Sequence, residues 1–89
     1  MMGETLVLTE DEVENGQRED GSWLIRGETY NVVEIIPEPY FSFATIVQRE
    51  SDKKHFRYRE ESYGSFNKEI WNEVCLITTT ITRTAWEDV

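Results

Sequence analysis

One cysteine, one histidine, two prolines and five glycines are spread over 89 residues, and each scarcity excludes some chemistry. A lone Cys75 makes no disulfide within the chain. With His55 as the sole imidazole, the usual N/S tetrahedron of zinc cannot be filled. The glycines are scattered, without the GxGxxG or Walker spacing that cradles a phosphate. No apolar run approaches the roughly 20 residues of a membrane span. Residues 1–20 carry neither the basic nor the apolar region of a signal peptide. The expectation is a single domain in the cytoplasm, with no membrane association, metal or cofactor.

Positive charge is scarce as well. Nine Lys+Arg face 18 Asp+Glu, for a net charge of −9. Residues 1–40 hold ten acids and two bases, whereas the rest of the chain is nearly balanced. Such a charge repels nucleic acid and anionic lipid at long range and favours a basic partner, or simply solubility. What the chain has in quantity is aromatics: three Trp, four Tyr and four Phe. That load suits a packed core and not a disordered segment. Trp23, Trp71 and Trp86 read as packing residues.

The pattern along the chain is mostly strand. Residues 4–9 are β-prone, and Thr9 with Glu12 three residues later forms a capping box for a helix of one or two turns that Gly16 would end. Asn15-Gly16 and Asp20-Gly21 mark a loop. Ser22 to Arg26 reads as a strand with Trp23 and Ile25 on one face. Glu28 to Ile36 reads as a second, with Tyr30, Val32 and Ile36 on one face and Val33 and Ile35 on the other. Pro37-Glu38-Pro39 ends it. Residues 40–50 and 55–59 make a hairpin about the polar turn at Ser51 to Lys54, with Phe56 and Tyr58 on one side and His55, Arg57 and Arg59 on the other. Residues 61–67 read as a loop, and Ser65 to Val74 fits either a helical turn or an extended connector. Glu73 to Trp86 reads as one long Thr-rich strand. Its Cys75 is expected to be a small buried side chain. The sum is all-β (or β-rich α+β): a small antiparallel sheet or partly open SH3-like barrel of five or six strands, with at most one or two short helices.

Few residues carry chemistry. A nucleophilic site needs a nucleophile, a base and an orienting group, and Cys75 with His55 is the one pair available. The acidic run does not have the alternating ligands and central glycine of an EF-hand loop. No catalytic residue is assigned. Two binding candidates remain: the acidic surface of Glu10, Asp11, Glu12 and Glu14, and the basic hairpin of Arg49, Lys53, Lys54, His55, Arg57 and Arg59. The hairpin, with Phe56 and Tyr58 interleaved, has the composition to hold single-stranded nucleic acid by charge and stacking. The net charge opposes that use, and strand cations also guard an exposed edge.

The segment Gly27-Glu28-Thr29-Tyr30-Asn31-Val32-Val33-Glu34 resembles the first strand of many small SH3-like barrels. Together with the aromatic-then-basic hairpin and the Thr-rich closing strand ending in Trp86, the chain resembles small accessory proteins encoded by bacteriophages. That resemblance implies a bacterial cytoplasm and a role in modulating a host protein, such as a defence nuclease. The reading is therefore a non-enzymatic acidic binding module for a host protein with a basic surface, by imitation of nucleic acid. A self-associating structural subunit is the alternative.

Overall fold

The computed structural model describes residues 3–37, 41–61, 66–78 and 84–89. Its elements run β1 (Thr5–Val7), α1 (Glu10–Gly16), β2 (Trp23–Ile25), β3 (Glu28–Ile36), β4 (Phe41–Arg49), β5 (His55–Glu61), β6 (Phe66–Thr78) and β7 (Thr84–Asp88). Every pairing is antiparallel, and the strands form one curled, half-barrel sheet in the order β1-β6-β5-β4-β3-β2. β6 pairs with β5 along one edge. Along its other edge β1 and β7 lie end to end, opposite residues 70–72 and 74–78.

Local chemistry sets several of these elements. Thr9 accepts from the Glu12 backbone N–H while the Glu12 carboxylate accepts from the Thr9 N–H, so the capping box is complete. Between β2 and β3, Arg26 and Gly27 both have positive φ, at 51° and 80°. That is the requirement of a two-residue turn whose twist matches the flanking strands. The β4–β5 turn is closed by hydrogen bonds from Arg49 N to the Lys54 carbonyl and from Lys53 N to the Arg49 carbonyl, 2.8 and 2.9 Å. Asp52 stiffens it by accepting from the Lys54 N–H.

The concave side of the sheet holds an aromatic core. Trp23, Tyr30, Phe56, Tyr58 and Trp71 are buried there with Leu8, Ile25 and Val47. Trp71 stands at the centre, stacked on Tyr58 at 5.2 Å and edge-on to Trp23 and Tyr30 at 5.3 and 5.2 Å. Edge-to-face and stacked pairs at such separations add to the area burial itself. α1 packs under this cluster through Val13 and through Gly16, where a Cβ would meet the Ile25 Cδ1 at 2.6 Å. The opposite face carries Ala44, Ile46 and Val74, also buried. Over that face lies β7: Trp86 reaches the His55 ring at 4.6 Å and donates from Nε1 to Glu34 at 3.0 Å.

Two expectations are corrected, and one left open is decided. Thr78 pairs with Thr84, so the expected single strand from Glu73 to Trp86 is two antiparallel strands; Thr79, Thr80 and Thr82 lie outside the described residues, as do residues 62–65 of the expected loop and Glu38-Pro39-Tyr40. The stretch from Phe66 to Val74 is extended, because β5 on one side and β1 on the other supply partners for its backbone. Tertiary pairing overrides the helical spacing of Ile70, Trp71 and Val74. Finally, an irregularity between Val32 and Glu34 shifts the register. Val32 faces Val47 and Ile35 faces Thr45, so Val32 and Ile35 share a side and Ile36 turns to the other. A bulge exchanges the two faces of a strand beyond it.

The Trp23 indole donates to the buried Tyr58 hydroxyl at 3.3 Å. Tyr58→Phe leaves that N–H without its acceptor and is expected to cost about 1–3 kcal/mol. Urea unfolding checks this, as a lower midpoint at unchanged slope.

Candidate functional site

The four acids expected at a binding surface all lie on α1 and divide by orientation. Glu10, Asp11 and Glu14 project from the outward side and are exposed, whereas Val13 and Gly16 turn inward. Glu12 is withdrawn from the outward group. Its carboxylate holds the Thr9 N–H and receives two hydrogen bonds from Arg26, at 2.8 and 3.0 Å. Arg26 also donates to the Val7 carbonyl, so this pair ties the helix to β1 and to the β2–β3 turn. The Arg26 guanidinium, followed by the Thr9 N–H, lowers the Glu12 pKa to about 2. Glu10, Asp11 and Glu14 make no ion pair among the described residues.

The basic hairpin is not one surface. Arg49 lies over the core rim, its guanidinium carbon 5.0 Å from the Phe56 ring centre and 5.9 Å from that of Tyr30. It donates to both carboxylate oxygens of Glu4, at 3.0 and 2.8 Å, and to both of Asp52, at 3.0 and 2.8 Å. The Arg49 hydrogen bonds lower the Asp52 pKa to about 2 and hold Glu4 below its usual range. Lys54 reaches the same Glu4 at 3.6 Å. Lys53 sits in the turn at φ 63°, exposed. His55, Arg57 and Arg59 lie on the opposite face of β5 from Phe56 and Tyr58, as the alternation predicts. Burial beside Trp86 pushes the His55 pKa down, and Arg57 is paired with Asp88. Arg49 and Lys54 are thus joined through Glu4, and His55, Arg57 and Arg59 form a separate group.

Cys75 is exposed, not buried as expected. It pairs with Glu87 in the β6–β7 ladder, where the strands have curled beyond the core. His55 is opposite Val74, so the adjacent Cys75 side chain points away from the imidazole and the two do not form a nucleophile–base pair. Among the described residues no group of three or more His, Cys, Asp or Glu is disposed around a common point. No described helix is long and apolar enough to cross a membrane.

Glu34 and Trp86 were not among the sequence-derived candidates, yet they join Arg57 and Arg59 around a cleft of about 590 Å³ between β7 and the outer face of β3–β5. Alternation alone places Arg57 and Arg59 on that face. What it could not supply is the reversal that brings Trp86 back over them. Compared with known proteins, the chain matches no family model, no curated protein and no solved structure.

Glu12 and Asp52, held at about 2 against ordinary values of 4.5 and 3.8, stabilise the fold above those ordinary values. That contribution is lost as pH falls toward 2, because the unfolded chain then binds protons that the folded chain refuses. Glu12→Gln keeps the capping geometry and removes the charge. It is expected to lower thermal stability at pH 7 and to differ little from the parent at pH 2, as read by circular dichroism.

Proposed function

We propose that this chain is a non-enzymatic binding module that engages a basic surface on another protein through the outward side of α1. In this reading the setting is a bacterial cytoplasm, the partner is a host protein, and the acidic face stands in for nucleic acid. One observation carries it. Arg26, Arg49, Lys54 and Arg57 are each bound to carboxylates of their own chain, while Glu10, Asp11 and Glu14 stand exposed and make no ion pair among the described residues. With these four cations neutralised within the chain, the exposed acids of α1 are left to steer association with a basic partner.

A second reading, self-association, is favoured by the apolar side chains left exposed on the strands, Val7, Val33, Ile35 and Leu76 among them. Light scattering separates the two. A monomer at every concentration removes self-association.

The purified protein, immobilised and exposed to bacterial lysate, is expected to retain a basic protein at low salt and to release it as salt rises. The triple variant Glu10→Gln, Asp11→Asn, Glu14→Gln should retain several-fold less. Glu12 is left intact because it caps the helix. Retention that ignores both salt and the triple variant contradicts the proposal, as does a blank lysate.

A further inference from the structure

We propose that the open edge of β3 takes an extended segment of another protein, in which apolar side chains alternate with lysine or arginine, as a further strand of the sheet. This surface is not the outward side of α1, and the inference stands apart from the reading above. β3 runs from Glu28 to Ile36, but β2 covers only Glu28, Thr29 and Tyr30. From residue 31 to 36 no described strand pairs with the outer edge, a length of about 20 Å at the usual rise of a strand. Backbone donors and acceptors along such an edge are a template for another strand.

Apolar surface gathers at the same place. Nine large apolar side chains are left exposed among the described residues, and four of them, Val32, Val33, Ile35 and Phe43, lie on β3 and the adjoining β4. Such a concentration marks an interaction site more than scattered exposure does. On the concave side Val32, Ile35, Phe43, Thr45 and Tyr58 line a groove of about 440 Å³, with Gln17, Asp20 and Gly21 from the segment after α1. Val32 and Ile35 belong to the edge strand itself, so the groove lies beside the free edge. An added strand sends alternate side chains to the two sides of the sheet. Those on the concave side enter the apolar groove, and those on the other side meet Glu34. Backbone pairing then supplies affinity and the alternate side chains selectivity.

Charge chooses the occupant. Glu34 accepts from the Trp86 indole, and Asp20 from the Ser22 N–H and hydroxyl. These are neutral donors, and neither carboxylate makes an ion pair among the described residues. Arg57 and Arg59, on the face that carries Glu34, are already engaged. Lysine or arginine in the added segment complements this edge in a chain of net charge −9. A second copy does not, because it brings the same charge again. The irregularity between Val32 and Glu34 and a carboxylate on the edge are also features that keep edge strands from pairing with their own kind.

The probe is a capped heptapeptide of four lysines alternating with valine, phenylalanine and valine. Calorimetry is expected to show saturable one-to-one binding that weakens as salt rises, and NMR to show slower amide exchange within residues 31–36. Serine in place of the three apolar residues, or glutamate in place of the lysines, should each weaken binding at least about tenfold. Backbone N-methylation separates strand pairing from charge alone. Of two peptides, one methylated on its lysines and one on its apolar residues, only that whose methyl groups face β3 should lose binding. Ile35→Lys, at an exposed position, should weaken binding at least about tenfold while the Trp23 and Trp71 indole signals report an intact core. The triple variant of α1 should bind about as well as the parent, so this result and the α1 reading fail separately. The proposal is overturned by no saturable binding, by equal effects of the two methylated peptides, or by protection that falls outside β3. A dimer that Ile35→Lys dissociates also overturns it, because a second copy then occupies the edge.

Discussion

Arg49 is the residue on which the remaining structure leans. In a chain of net charge −9, one guanidinium lies over the Phe56 and Tyr30 rings and draws in Glu4, the residue before β1, and Asp52 from the β4–β5 turn. It thereby fixes the N-terminal strand, the central hairpin and the rim of the core in a single contact. Glu4 is in turn bound through its backbone: its N–H meets the Glu73 carboxylate, and its carbonyl accepts from the Glu73 N–H. The Val89 N–H donates to the Glu73 carbonyl, so both ends of the described chain converge on the residue where β1 and β7 meet along β6.

The aromatic core answers a different demand. A chain of this length buries little area, and barrels of short strands need large side chains to fill a narrow interior. Trp71, Trp23 and Tyr58 supply volume in few positions, and their mutual edge-on and stacked contacts fix one arrangement among the many that loose packing would allow. α1 is short enough to be unstable alone. It persists because its cap is complete, Glu12 is tied to Arg26, and Gly16 allows the close approach to Ile25.

Much of this is legible in residue order because it is local. Thr9 and Glu12 are three residues apart, Gly27 separates two strand-like runs, and the sides of β5 follow from period two. What escapes is non-local. The partner of Arg49 is 45 residues away at Glu4, and no spacing rule connects them. The bulge at Val33 has no distinctive residue, yet it exchanges the faces of Ile35 and Ile36. The Thr-rich run promises a strand but not the reversal within it, and so conceals both the exposure of Cys75 and the return of Trp86 over Arg57. At the candidate surfaces, the acids of α1 could be named in advance. The tie of Glu12 to Arg26, and the capture of Arg49 and Lys54 by Glu4, could not.

The account rests on the claim that the scarce cations of the central hairpin hold the fold together and leave the acids to face outward. The most direct test compares the urea unfolding of Arg49→Met with that of Lys53→Met, a loss of charge from the same hairpin. Arg49→Met is expected to lose about 1.5–3 kcal/mol, the range for hydrogen bonds to charged groups, and Lys53→Met to stay within about 0.5 kcal/mol of the parent. Equal and small effects from the two variants would contradict it.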